Sequence, residues 1–307
     1  ENTELKLRIG PAPGLIGDSG AVSTLQAAVK KVAPTGSRVM ISGPAGSGKE
    51  IIARLIHEQS YRREAPFVVV NSAMMRPESL EMELFGSEQG YPEKTSSRRM
   101  GTFERAHGGT LFFDEVADMP LETQGKMVRV IQEQSFERVG SGARVEVDVR
   151  VIAASNRDLA EEIEAKRFRE DLFYRLNVVP IHVPALRERR EDIPMLAHYF
   201  MQRAAESSGL PTREIAADAM AVLQACEWPG NVRQLRNVIE WLLIMSPGTS
   251  KDDVTAAMLP PELGTTTNDM TGNQWTGEIM ALSLREAREI FEREYLTTQL
   301  SRFSGNI

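Results

Sequence analysis

The stretch Val39-Met40-Ile41-Ser42-Gly43-Pro44-Ala45-Gly46-Ser47-Gly48-Lys49-Glu50 constrains this chain more than any other: a short apolar run, a glycine-rich turn, a lysine, then a helix-forming segment. Gly43, four residues, then Gly48-Lys49 is P-loop spacing. In such a loop backbone N–H groups and the start of the following helix surround a polyphosphate, and the lysine adds a mobile point charge. Glycine is needed because the loop takes positive φ and approaches the phosphates closely. The spacing also arises by chance, so its context decides. Val39 to Ile41 predict a strand before the loop, and Ile51, Ile52, Leu55 and Ile56 predict one apolar helix face after it. One position departs from the general pattern. Glu50 stands where a Ser or Thr hydroxyl usually reaches the metal, so Mg²⁺ would be held by phosphate oxygens, water and another carboxylate.

Four more β-rich runs follow, at residues 65–71, 109–115, 147–156 and 178–183. Strands alternating with helical segments predict an α/β fold, a parallel sheet sandwiched by helices. Ligands of such sheets bind beyond the carboxyl ends of the strands. Asn71, Asp114, Glu115 and Asn156 all fall at those ends, on the side of the P-loop. From Leu186 helical signals take over. Asp192-Ile193-Pro194 opens a helix through Phe200, residues 217–226 form another, and Asn231 can cap a third carrying Val232, Leu235, Val238, Ile239 and Leu242. The expected organisation is an incoming linker at 1–13, an α/β domain at 14–185 and a small all-α domain at 186–258. Residues 246–281, rich in Pro, Gly and Thr, read as a poorly structured connector, with 259–281 as a flexible linker. Ser283 to Leu300 is amphipathic, and there are no internal repeats.

A chain of 307 residues, 41% hydrophobic and 26% charged, can bury one large domain and a smaller one. Its net charge of -7 argues against a broad basic nucleic-acid footprint. No apolar run reaches the length of a bilayer span. The single cysteine, Cys226, excludes an internal disulfide, and with no signal peptide visible the cytoplasm is the expected compartment. Residue 1 is Glu rather than Met, so a fragment or processed form is expected.

Asp114 and Glu115 suit a division of labour, in which the first holds Mg²⁺ and the second orients and deprotonates an attacking water. Acidic residues at a strand end are also common turn formers. Asn156 suits the water or the γ-phosphate, and equally an ordinary turn. Arg169 and Arg175 lie six apart in the segment 168–176, where two arginines also suit a solvated helix face. Arg233 has the same alternative. His57, His107 and Cys226 have no partners at metal-ligand spacing.

The Gly-Lys-Glu ending of the P-loop, Val70-Asn71, Glu83-Leu84-Phe85-Gly86, Gly108 to Glu115, Arg169 to Leu176 and Trp228-Pro229-Gly230-Asn231-Val232-Arg233 together resemble one family. It is the AAA+ ATPase module of bacterial enhancer-binding proteins, the activators of sigma-54 RNA polymerase. That family usually carries Glu at the position of Glu50. The resemblance implies a homo-oligomer, a hexameric ring or a resting dimer, with ATP or ADP at subunit interfaces. It implies nucleotide contacts from Ile16, Gly17, Gly43, Pro44, Ala45, Gly46, Ser47, Gly48, Lys49, Glu50 and Ile51, and from Arg233 as the second sensor of a helical lid. By position, Asp114 would hold the metal, Glu115 would be the catalytic base, Asn71 its switch and Asn156 the first sensor. Arg169 and Arg175 would be fingers reaching the neighbour's site, worth roughly 10³ to 10⁵ in rate.

One stretch departs from the family. Gly90-Tyr91-Pro92-Glu93-Lys94-Thr95 stands where the Gly-Ala-Phe-Thr-Gly-Ala loop touches the sigma factor. Charges at an inserting tip cost several kcal/mol in desolvation, so ordinary sigma-54 activation is not expected. Loss of that loop resembles NtrX-type response regulators of two-component systems. The resemblance implies a receiver domain and a sensor histidine kinase before Glu1, and promoter DNA as a partner through a Fis-like helix-turn-helix beginning at 282–307. RNA polymerase is a further possible partner. The alternative is a nucleotide-binding oligomerisation scaffold with little hydrolysis.

Overall fold

The computed structural model describes residues 14–74, 77–88, 99–140, 144–245 and 252–264. The loop at 90–95 and the amphipathic segment at 283–300 lie outside the described residues. The chain divides into two compact units, the first ending at Arg189 and the second beginning at Arg190.

The first unit carries strands β1 (Val39–Ser42), β2 (Phe67–Asn71), β3 (Thr110–Asp114), β4 (Ser135–Glu137), β5 (Arg144–Glu146), β6 (Arg150–Ser155) and β7 (Val179–His182). Five of them form one all-parallel sheet in the order β2-β3-β6-β1-β7. The predicted α/β class is therefore correct, and each of the five sheet strands was legible as a short β-rich run. The antiparallel hairpin β4-β5 was not foreseen.

Helices α1 (Gly20–Val32), α2 (Lys49–Glu58), α3 (Pro77–Phe85), α4 (Thr102–Arg105), α5 (Leu121–Glu133), α6 (Leu159–Glu164) and α7 (Glu170–Leu176) complete this unit. Successive strand residues point to opposite faces, and the core divides accordingly. Met40, Leu111, Phe113, Val151 and Ala153 pack into one cluster with α5 and α7 residues such as Met127 and Leu172. Ile41, Phe112, Ile152 and Ala154 pack into the other with Leu25, Val29, Ile52 and Ile56. The helix after the P-loop buries Ile52, Ala53 and Ile56, whereas of the predicted apolar face Ile51 and Leu55 are only half-buried, Leu55 packing against the core.

Close approach of backbone decides one glycine here. A Cβ at Gly109 would lie 2.1 Å from the Pro66 carbonyl oxygen, and that carbonyl accepts the Thr110 N–H at 2.8 Å. The start of β3 thus needs glycine to reach the chain entering β2.

Arg150 opens β6 and is almost fully buried. Its guanidinium donates to the carbonyls of Ala33 (2.8 Å), Val32 (3.1 Å) and Ser37 (3.1 Å). Those are carbonyls at and just beyond the C-terminal end of α1, where a cation also meets the negative end of the helix dipole. Burial, and secondly the charge of Arg62, lower its pKa to about 10. Arg150 therefore ties α1 to the amino ends of the strands.

The second unit contains α8 (Ile193–Ser208), α9 (Ala217–Ala225), α10 (Asn231–Met245) and the short α11 (Pro261–Gly264). Helix α8 runs beyond the predicted end at Phe200, and α10 begins at Asn231 itself, whose φ is 51°. Trp228 is buried and donates its indole N–H to the Leu223 carbonyl at 2.8 Å. Part of the stretch expected to be a poorly structured connector is folded. Val254, Leu259 and Leu263 are buried, Val254 pairs with Ile215, and Asp218 accepts the Ala256 N–H at 3.0 Å. Its apolar residues are too widely spaced to show a helical or strand period, so local pattern missed them.

Arg150→Met leaves three carbonyls without their donor. At about 1 kcal/mol or more for each unpaired group, the expected loss is at least about 3 kcal/mol, read as a lower urea midpoint with an unchanged slope.

Candidate functional site

β1 ends at Ser42, and the chain turns at Gly43, Gly46 and Gly48, with φ of 149°, 73° and 106°. A Cβ at Gly43 would sit 2.4 Å from the Val183 carbonyl oxygen, so the loop can leave the sheet only without a side chain there. Lys49 is the first residue of α2, and the Ile51 N–H already donates to Gly48 O at 3.0 Å. The first turn of α2 therefore faces the loop, as a phosphate cradle requires. Ser47 is buried, and its hydroxyl has no hydrogen-bond partner among the described residues. Its carbonyl accepts a hydrogen bond from Arg189 at 2.9 Å, a contact with no local sequence signal. Pro44 and Gly46 are half-buried, and Ala45 is exposed at the loop tip.

Lys49 is 5% exposed. Its ammonium donates to the carbonyls of Gly43 (3.0 Å) and Pro44 (3.3 Å) and lies 3.4 Å from Glu115 Oε1. The other oxygen of Glu115 accepts the backbone N–H of Asn156 at 3.0 Å. Residues from the ends of β1, β3 and β6, three adjacent strands, thus meet on one carboxylate. Glu115 itself has φ of 51°, a left-handed conformation that is sparsely populated for a residue with a side chain and is common at functional sites.

Asn71 and Asp114 are register partners at the ends of β2 and β3. The Asn71 amide lies 3.5 Å from Asp114 Oδ2, and its oxygen accepts the Ala73 N–H at 3.0 Å. No hydrogen bond joins Asn71 to Glu115; the expected switch is bonded to Asp114 instead. For Asn156 the contact to Glu115 comes from the main chain rather than the side chain. Burial, and next the charge of Glu115, push the Asp114 carboxyl above the usual carboxylate range, against a smaller opposing pull from Lys49. Among the described residues no group of three or more His, Cys, Asp or Glu side chains could hold a metal by itself. Glu50 is occupied by Arg54, which donates to Oε1 from Nε (2.9 Å) and Nη2 (2.7 Å) and lies over the Phe67 ring. Arg54 was not foreseen, although the i,i+4 spacing of the pair was readable.

Ile16 and Gly17 precede α1, Ile16 half-buried and Gly17 buried with φ of 135°. Arg169 caps α7, and its guanidinium is engaged by Asp171 at 3.0 and 2.7 Å, which holds that carboxyl below the usual range. Arg175 lies in the last turn of α7, half-buried, with an Nε atom that has no partner. Neither arginine is hydrogen-bonded to the Lys49–Glu115 cluster. Gln124, wholly buried in α5, sets the position of this segment. It donates to the carbonyls of Met119 (2.7 Å) and Arg167 (3.1 Å) and accepts the Arg169 N–H at 2.8 Å. A lone amide in a helical run gives no local signal of such a role. Arg233 is exposed in the first turn of α10, in the second unit.

His57 and Cys226 are both buried. His57 shares a hydrogen bond with Thr110 at 3.0 Å, and Cys226 is buried near the Leu263 carbonyl. No helix among the described residues is long and apolar enough to cross a membrane.

Comparison with known proteins places this site in a family. The sigma-54 interaction domain matches residues 15–182, and the AAA+ ATPase lid domain matches residues 187–275. The nitrogen assimilation regulatory protein NtrX of Azorhizobium caulinodans is 53% identical over 95% of this chain, which spans 64% of that relative. The DNA-binding transcriptional regulator NtrC of Escherichia coli is 38% identical over 97% of this chain, which spans 66% of it. The crystal structure of NtrX from Brucella abortus in complex with ADP, 51% identical, superposes with a TM-score of 0.79, covering 100% of this chain and 67% of that one. The ATP complex of the same protein, 50% identical, gives 0.77 and covers 99% of this chain and 66% of its own. With its P-loop, its paired carboxylates on a parallel sheet and its helical second unit, the chain belongs to the sigma-54 interaction domain family, and within it to the NtrX type.

Proposed function

We propose that this chain is the ATP-hydrolysing, ring-forming module of a two-component response regulator that controls transcription. The observation that carries this reading is the meeting of Lys49, Glu115 and the Asn156 N–H at the ends of three adjacent strands, beside a loop that tolerates only glycine at Gly43. The ATP and ADP complexes of Brucella abortus NtrX support nucleotide as the ligand.

The residues present fit a magnesium–nucleotide group. A Cβ at Gly43 would fill the turn of the cradle, the buried Ser47 hydroxyl has no partner among the described residues, and Asp114 sits among carboxylates whose mutual repulsion a cation would relieve. Asp114 would hold the metal and the Gly43–Ile51 segment the phosphates, with Ile16 and Gly17 near the base and Arg233 as lid sensor. Mg²⁺, when bound, neutralises charge on the phosphate oxygens. Lys49 exchanges the Gly43 and Pro44 carbonyls and Glu115 for phosphate oxygens. That exchange frees Glu115 to take a proton from the attacking water, while the Asn156 N–H keeps its other oxygen aimed. Asn71 stands beside Asp114 as the switch, and Asn156 senses the γ-phosphate. Arg175 and Arg169 act in trans on the neighbour's nucleotide, Arg169 after release from Asp171.

The assembly proposed is a hexameric ring, with a dimer as the resting form, in the cytoplasm. A receiver domain addressed by a sensor histidine kinase and a helix-turn-helix that binds promoter DNA would lie in the remainder of the protein. The residues Gly90 to Thr95 replace the sigma-contacting loop, so RNA polymerase is addressed differently or not at all. That same loop favours a second reading, a nucleotide-gated scaffold with little hydrolysis.

Steady-state ATP hydrolysis that rises in specific activity with protein concentration, as the solution mass rises, is the expected result. Glu115→Gln should keep ATP binding and lower turnover by about 10² to 10⁴; an equal, near-zero rate in both proteins would establish the scaffold instead. Asp114→Asn should also lose turnover, but raise the melting temperature. The folded pKa of Asp114 lies above its unfolded one, so its contribution favours folding at low pH and is lost as pH rises through the folded value. At neutral pH the ionised group costs stability, and the gain from Asp114→Asn should shrink as pH falls toward the unfolded carboxylate range. Finally, the chain joined to its DNA-binding domain should fail to support open-complex formation at a sigma-54 promoter.

A further inference from the structure

The amino ends of the parallel strands form the sheet edge opposite the P-loop, and this edge gathers arginines around a cavity of about 410 Å³. That volume falls in the range of small-molecule sites, roughly 300 to 1,000 Å³. Arg38, which directly precedes β1, lines it with Arg62 and Arg150, and Asp148 is the one carboxylate that does so among the described residues. The three arginines are joined by more than the cavity. Arg150 Nε donates to the carbonyl of Ser37, the residue before Arg38, at 3.1 Å. Arg62 Nη1 lies 3.3 Å from the Gly109 carbonyl oxygen, and the same oxygen accepts the Arg150 main-chain N–H at 3.1 Å. The charge of Arg62 is also the second cause, after burial, of the lowered Arg150 pKa.

The walls of this cavity hold more donors than acceptors, since each guanidinium carries five N–H groups and no acceptor. Arg150 commits three of its donors to the carbonyls of Val32, Ala33 and Ser37 and adds mainly charge. Arg62 turns Nη1 and one Nη2 hydrogen to Gly109 and Asp148, which leaves its Nε–H and a second Nη2 N–H. Arg38 is half-buried, and its guanidinium has no hydrogen bond or ion pair to any described residue. Gln134 accepts the Val149 N–H at 3.0 Å through its amide oxygen, and its amide nitrogen has no partner among the described residues. Against these donors stands only the Asp148 carboxylate, already on Arg62 at 2.7 Å and 68% exposed. Buried Ile131, Val149 and Val151 make an aliphatic wall beside them.

We infer that this cavity is a second anion site, for the phosphate group of a small molecule, with Arg38 as its principal ligand and Arg62 beside it. A phosphate monoester carries about −1.5 to −2 charge at pH 7 and three acceptor oxygens. It matches two guanidinium forks and a spare amide donor together, which a carboxylate with two oxygens and a single charge does not. The aliphatic wall suits the carbon part of such a ligand. The site is separate from the P-loop. Arg38 and Gly43 flank the four residues of β1, on the order of 15 Å apart along an extended chain, so one phosphate cannot touch both. Its occupancy does not depend on the nucleotide chemistry proposed above.

The test is thermal melting of this chain with butyl phosphate as the probe and ADP as the marker of the P-loop, at constant ionic strength. A ligand of the folded state raises the melting temperature by mass action, and general salt stabilisation is the part of the shift that persists without Arg38. Lys49→Ala should lose the ADP shift and keep the butyl phosphate shift. Adding Arg38→Gln to that variant should weaken butyl phosphate by about 10- to 100-fold, the weight of one charge-assisted fork. Adding Asp148→Asn instead should tighten it several-fold, because the competing carboxylate is gone; damage to the fold would act the other way. Orthophosphate should bind more weakly than the ester with the same dependence on Arg38; equal binding would make the free ion the occupant of the site. Equilibrium dialysis, which needs no P-loop variant, should find butyl phosphate bound to the parent and lost from Arg38→Gln. Equal binding with and without Arg38 would overturn the site, as would an Arg38-dependent shift from succinate as large as that from butyl phosphate. A parent that shows no ADP shift would count against the proposed function and leave the anion site standing.

Discussion

Parallel pairing of β1 with β6 and of β6 with β3 is the constraint on which the site depends. Parallel strands align their carboxyl ends, so the chain leaves every strand on the same side of the sheet. Ser42 is opposite Ser155 in this ladder, and Asn71 is opposite Asp114. The P-loop, the two carboxylates and Asn156 therefore rise from one edge without any of them needing to be near another in sequence. A slip of one residue in any strand would turn its buried side chains to the wrong face. The alternation of Leu111, Phe112 and Phe113 between the two cores opposes that slip.

The same geometry leaves charge unbalanced at both edges. At the carboxyl edge Asp114, Glu115 and Glu50 crowd together, relieved in part by Lys49 and Arg54. At the amino edge arginines gather, Arg150 held by backbone carbonyls and Arg62 by Asp148. The crowding at the carboxyl edge costs the subunit stability and is suited to what a bound nucleotide would bring, so stability yields locally to binding.

Much of this was legible beforehand. Short apolar runs ending in Asn71, Asp114 and Asn156 predicted the sheet and its functional edge, because such strands are apolar on both faces and polar only where they leave the core. The hairpin β4-β5 escaped notice because each of its three-residue strands holds a single apolar residue, Phe136 or Val145, which leaves no period to detect. The folded part of the stretch after Ser246 escaped for a similar reason. Gln124 and Arg150 escaped because their partners are backbone carbonyls contributed largely by distant segments, and any sequence can supply a carbonyl.

The sequence by itself determined the chemical groups available, the class of fold and the side of the sheet on which phosphate chemistry would sit. These follow from local rules, the period of apolar residues and the φ that only glycine takes readily. Tertiary structure decided which charge meets which. It set Lys49 on Glu115, Arg54 on Glu50 and Asp171 on Arg169. Electrostatic pairing falls off over a few ångströms, and distances of that size between residues far apart in the chain exist only once the layers have packed.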